Sequence, residues 1–277
     1  MLGKLIKHEF RATAGYFGLI CLGLIGFSGL SRLFILLEDA FGFFELPMML
    51  SMLFYVIMAV AASVLTLVLI IKRFYSNIYG DEGYLTLTLP VERRKLIFSK
   101  LLVSAVWVLA VALATICSIL ILSLSEETIY FISQLFAELS YMLDYIFEYI
   151  NTPAAVLIIE LVLMALIGLF NGILVFYASV SIGQLFSGHR MIGSVLGYLM
   201  ISVVTNIISR VYIAAVGLTQ SGSESYINSF IDGARLNGIM SFNLQVDIIM
   251  YIVLYAAMTA GLFALTNLIM KRAVNLH

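Results

Sequence analysis

The sequence predicts an all-α, polytopic membrane protein of about six transmembrane helices, with both ends in the cytoplasm. Three observations carry this reading. Hydrophobic residues make up 62% of the 277-residue chain and charged residues 11%, against about 45–50% and 25% in soluble domains. A water-facing surface cannot absorb that apolar excess, so lipid must be the solvent for much of the chain. Apolar runs of bilayer-spanning length, roughly 20 residues at about 1.5 Å rise each, recur six times. The charges are segregated along the chain, so the net charge of −1 says little by itself.

The expected spans run approximately 16–37, 48–71, 101–124, 153–181, 191–218 and 246–270, in a single transmembrane domain 1–277. Basic residues precede the first run, as in a signal peptide, but Tyr16 to Leu37 is long enough to span and carries no small-x-small cleavage site. It is expected to be a retained helix. Gly15, Gly18, Gly23, Gly26 and Gly29 along it suit close helix–helix approach. With three prolines and no low-complexity stretch, no linker or disordered tail is expected. Cys21 and Cys117 fall at different depths of their spans, too far apart to bridge, and read as small buried hydrophobes.

Orientation follows from Lys and Arg in the connections. Lys4, Lys7 and Arg11 precede span one. Lys72, Arg73, Arg93, Arg94, Lys95 and Lys100 follow span two. Arg190 follows span four, and Lys271 and Arg272 follow span six. An even number of spans puts all of these on one side, leaving only Arg235 among many acids on the other.

Three connecting pieces stand out. Residues 1–14 are expected to form an interfacial amphipathic helix, with Leu2, Leu5, Ile6 and Phe10 on one face and Lys4, Lys7, His8 and Arg11 toward anionic head groups. Glu9 is anomalous, because about 100° per residue places it among the apolar side chains. It is either neutralised by Lys or water at the interface or grips a basic residue on a cytoplasmic partner. Residues 125–152 read as an outer amphipathic helix, with Ile132, Leu135, Phe136, Leu139, Met142, Leu143, Ile146, Phe147 and Ile150 on one face. It either lies on the membrane or packs over the bundle. The connection 72–100 is punctuated by Gly80, Gly83 and Pro90, and residues 91–99 suit a short basic helix before span three. It is the longest cytoplasmic feature, so a soluble partner is expected there.

Catalytic chemistry is scarce. The chain holds no phosphate-binding G-x-x-x-x-G-K-[ST] and no zinc spacing, so no cofactor or metal is expected in it. Gly26-Phe27-Ser28-Gly29 suggests an intramembrane serine protease, but Ser28 belongs to the outer half of span one. His8, His189 and His277 all belong to the cytoplasmic side, out of reach as a base. Arg32, Glu160 and Arg210 are the ionisable residues within spans, each costing roughly 2.5–3.5 kcal/mol if isolated at the bilayer centre. Similar depths would let them pair as a structural bridge, or serve as a polar gate or substrate contact. Asn171 and Asn206 suit interhelical hydrogen bonds. No dense proton relay and no matched broken helices point to ion-coupled transport.

The stretches KLIKHEFRAT and FYSNIYGDEGYLTLTLPVERRKLIFSKLL, with the order of six spans, resemble the permease subunits of type-2 ABC transporters from Gram-positive bacteria. The resemblance covers the whole chain in layout and about 40 residues as motif. It implies a bacterial cell-membrane exporter subunit paired with a second permease, the same or related. A separate cytoplasmic ABC ATPase subunit would hold ATP and Mg and push on coupling segments. Carried onto this chain, those segments are the N-terminal helix with Glu9, and the connection with Gly80, Asp81, Glu82, Gly83, Tyr84, Leu89 and Pro90. Glu92, Arg93, Arg94 and Lys95 continue that connection, and His189 and Arg190 form a smaller contact. Such permeases often dip back into the membrane after span five; the polar residues of 219–245 argue against a deep dip here. An amphipathic or peptide-like substrate is implied, and no nucleic-acid partner. The residues by themselves leave open a non-transporting immunity or sensor protein that binds a peptide.

Overall fold

The computed structural model describes residues 2–80, 83, 92–124, 129–130, 132–141, 153–186, 188–227 and 233–273, with side chains except at 154, 216–245 and 272–273. Apolar runs without internal breakers become long helices, and no strand occurs among the described residues. In chain order they are α1 Leu2–Phe41, α2 Glu45–Tyr79, α3 Arg93–Leu122, α4 Ala154–Gly183, α5 Arg190–Ile227 and α6 Gly233–Ala273. All six are long and apolar enough to cross a membrane. The chain is an all-α, multi-pass membrane protein.

Two expected boundaries differ. The amphipathic segment at the N-terminus is not a separate interfacial helix but the first turns of a 40-residue α1. Thr13, Ala14 and Gly15 contain no proline, and one glycine costs a helix only about 1 kcal/mol. At about 1.5 Å per residue α1 is about 60 Å long, twice a hydrocarbon core. The basic helix expected at 91–99 is likewise continuous with span three in α3. Residues 132–141 are helical, with Leu135, Phe136 and Leu139 exposed; the rest of the outer amphipathic helix lies outside the described residues.

The helices fall into two compact units, residues 1–134 and 135–277. In the first, α1 packs on both α2 and α3. Gly42, at φ +70, ends α1 and donates its N–H to Glu38 at 2.8 Å, so the chain reverses at once into α2. Contacts pair Glu9 with Arg73 and Ser31 with Ser51, so α1 and α2 are antiparallel. Glu9–Lys100, Thr13–Trp107 and Arg32–Leu124 are separated by 91, 94 and 92 residues, so α1 and α3 are parallel and in register along their length. In the second unit, α4 packs on α5 and α6. Phe176 stacks on Tyr198 at 5.5 Å, and Asn171 donates to Thr259 at 3.2 Å.

Burial in the first unit has the polarity expected in lipid. The buried stripe of α1 is Glu9, Thr13, Phe17, Ile20, Leu24, Ser28 and Ser31, while Leu19, Leu22, Leu30 and Leu33 face outward. The buried stripe of α2 includes Ser51, Tyr55, Ala62 and Thr66, while Leu53, Val56, Val60 and Val64 are exposed. Small and hydroxylated residues are among those buried, and branched apolar residues face outward, the arrangement that packing in lipid favours. Tyr55 Oη and Ser118 Oγ join α2 to α3 at 2.7 Å. The glycine run of α1 plays less of a part in packing than its spacing suggests. Only at Gly23 would a Cβ meet a neighbour, Met58 Cε at 2.6 Å; at Gly15, Gly18, Gly26 and Gly29 nothing lies within 4 Å. Their face is opposite the buried stripe.

Candidate functional site at the basic end of the first unit

The anomaly on α1 becomes the centre of a polar node. Glu9 Oε1 accepts from Lys100 Nζ of α3 at 3.0 Å and from Arg73 Nε of α2 at 3.1 Å. Glu9 keeps 12% side-chain exposure, Lys100 4% and Arg73 31%. Arg73 follows the apolar run of α2 and Lys100 precedes that of α3, so the node lies at the membrane edge, outside the spans. Parallel register with α3 brings α1 into the apolar layer just after Glu9, before Tyr16. Burial alone would raise the Glu9 pKa. The charge and hydrogen bond of Lys100, then those of Arg73, outweigh it and hold the carboxyl below its ordinary value.

One turn further in, the node is braced by the chain's single tryptophan. Trp107 Nε1 donates to Thr13 Oγ1 at 2.9 Å, and the Thr13 hydroxyl donates to the Glu9 carbonyl at 2.9 Å. The indole lies between Phe10 and Phe17, stacked at 4.7 and 5.0 Å. Such stacking adds about 0.5–1.5 kcal/mol per pair beyond burial. It fixes the face of α1 that presents Glu9.

The connection leaves α2 through a turn that requires glycine. Gly80 N–H donates to Tyr75 O at 3.0 Å, and Gly83 N–H to Gly80 O at 2.8 Å. A Cβ on Gly83 would come 2.5 Å from Ile78 O, and one on Gly80 2.8 Å from Ser76 O. Asp81, Glu82, Tyr84, Leu89 and Pro90 lie outside the described residues. Glu92, just before α3, pairs with Lys95 at 3.1 Å in solvent, which stabilises little. Arg94 and Lys95 are exposed and Arg93 is half-buried.

Glu9 is thus neutralised by Lys100 and Arg73 of this chain, and a partner's basic residue is not needed to satisfy it. Arg73, Lys100, Thr13 and Trp107 escaped the sequence reading as site residues. The signal was present: a lone acid on an apolar face, with basic residues bracketing the next two spans at the same depth. The other candidates are dispersed. In the second unit His189 and Arg190 are exposed at the start of α5, and the His189 carbonyl accepts from Gly193 N at 2.9 Å. Arg32 donates to the Leu124 carbonyl in the first unit. Glu160 is buried in the second unit and Arg210 is exposed. The pairing of Gly183 with Ser194 and of Phe176 with Tyr198 sets Glu160 opposite a stretch of α5 about a turn or more beyond Arg210. Within the second unit, similar depth therefore does not set Glu160 level with Arg210. Asn171 makes the expected interhelical bond; Asn206 instead donates to Ser202 O of its own helix at 2.7 Å. The Ser28 hydroxyl is bound to Ile25 O at 2.8 Å. Both cysteines are free thiols.

No family model, no curated protein and no solved structure matches the chain.

Proposed function

We propose that this chain is the membrane-spanning permease subunit of an ATP-driven ABC exporter in the bacterial cell membrane. Its basic end faces the cytoplasm, and both termini lie on that side. ATP and Mg belong to a separate cytoplasmic ATPase subunit, and a second permease, identical or related, completes the pathway. An amphipathic or peptide-like substrate suits the apolar spans and the acidic outer connections.

The observation that carries the reading is how the ends of the connection between α2 and α3 are held. The connection leaves α2 through a glycine turn, enters α3 through exposed Arg94 and Lys95, and is anchored at both ends on Glu9. A chain of this kind without a phosphate-binding loop needs an external motor to transport actively. Purification of the tagged chain from its native membrane in mild detergent tests the proposal. Recovery of a stoichiometric subunit bearing a phosphate loop, with ATPase activity, is expected. A chain that purifies alone and without ATPase activity removes the exporter reading.

A further inference from the structure

We infer that Glu9 is a positioning residue that delivers displacement of the 72–100 connection to α1. Arg73 is the last charge before the connection leaves α2, and Lys100 is the last residue before the apolar run of α3. One carboxylate oxygen holds both, at 3.1 and 3.0 Å. Glu9 therefore ties both ends of the connection to a third helix. Below the node, Trp107 and Thr13 lock the turn of α1 that carries Glu9, so the carboxylate cannot follow its partners without moving α1. α1 then runs in parallel register with α3 to Arg32 and Leu124 at the far end. A push on the connection thus reaches the opposite face of the membrane along a continuous 40-residue helix.

The tie stands on the geometry alone; what moves it rests on the exporter reading. Two measurements separate them. The first needs no ATPase: limited trypsin cleavage at the exposed Arg94 and Lys95 of the purified chain in detergent. Glu9→Gln, and Glu9→Gln with Lys100→Met, which removes the buried lysine as well, should both be cut at least tenfold faster than wild type. Glu9→Asp, which keeps the charge, should stay within about twofold. Equal cleavage of wild type and the double variant overturns the tie. The second uses the full complex in nanodiscs, in a Cys117→Ser background. The native thiol of Cys21 on α1 then reports through its rate of reaction with N-ethylmaleimide. Nucleotide should change that rate severalfold in the wild type, and not in the double variant with its ATPase subunit still bound. The same nucleotide response in both, or none in the wild type, overturns delivery to α1. Absence of any ATPase subunit from wild-type preparations removes the exporter reading, while the cleavage measurement still decides the tie.

Discussion

Removing the Glu9 carboxylate should destabilise the first unit mainly through Lys100. Glu9→Gln removes the carboxylate 3.0 Å from the Lys100 ammonium, which has 4% side-chain exposure. Breaking a buried pair from one side costs about 3–5 kcal/mol. At the membrane edge the lysine recovers part of this by snorkelling toward water, so the lower end, about 3 kcal/mol, is expected. Arg73 is 31% exposed, and its pair with Glu9 resembles a surface bridge worth about 0–1 kcal/mol. The assay is a double-mutant cycle by reversible unfolding in mixed SDS and dodecylmaltoside micelles. Glu9→Gln with Lys100→Met should show a coupling of about 2–3 kcal/mol, the double variant being less destabilised than the single effects added together. The cycle with Arg73→Met should couple by less than about 1 kcal/mol. Additive effects in the Lys100 cycle would refute the reasoning, because they would mean that the 3.0 Å pair carries no net interaction.

Acid should remove the same contribution. The Glu9 pKa is lowered in the fold, so its stabilisation is complete above the ordinary carboxylate value of 4.5 and is lost as pH falls through the depressed value. The stability gap between wild type and Glu9→Gln should therefore be constant near neutrality and close in acid, below 4.5; a gap that closes near neutral pH contradicts the shift. Gly83→Ala forces a Cβ to within 2.5 Å of Ile78 O and should lower the melting temperature by several degrees. Gly26→Ala, with nothing within 4 Å, should leave it unchanged; equal effects would contradict the turn geometry. Asn171→Leu should cost about 0.6 kcal/mol through its lost bond to Thr259. Asn206→Leu should cost less in the same unfolding assay, because that amide is bound within its own helix.

The spans were legible because the bilayer imposes a length and a polarity that any 20-residue apolar run displays. Helix ends were less legible. Nothing between Thr13 and Gly15 stops a helix, so an amphipathic segment and a span merged into α1. Glu9 was recognisable as an anomaly from its angular position alone. Its partners were not, since choosing Arg73 and Lys100 requires the register of helices 64 and 91 residues away in sequence. Depth in a span also says nothing of azimuth. Arg32, Glu160 and Arg210 were expected in the outer halves of their spans; Arg32 finds the Leu124 carbonyl in the first unit, and Arg210 is exposed in the second. The glycines of α1 have helical spacing, but that spacing cannot say which face looks inward. The polar stripe of Glu9, Thr13, Ser28 and Ser31 decides it, and the glycines Gly15, Gly18, Gly26 and Gly29 stand on the other side.

The central claim is that a cytoplasmic ATPase docks on the α2–α3 connection. Photo-crosslinking in intact cells tests it most directly, with benzoylphenylalanine placed at Arg94, at Lys95 and, on the opposite side of the proposed topology, at Leu139. The account predicts a crosslink from positions 94 and 95 to a subunit bearing a phosphate-binding loop, and none from 139. Crosslinks to no such subunit, or a crosslink to it from 139, would contradict the account.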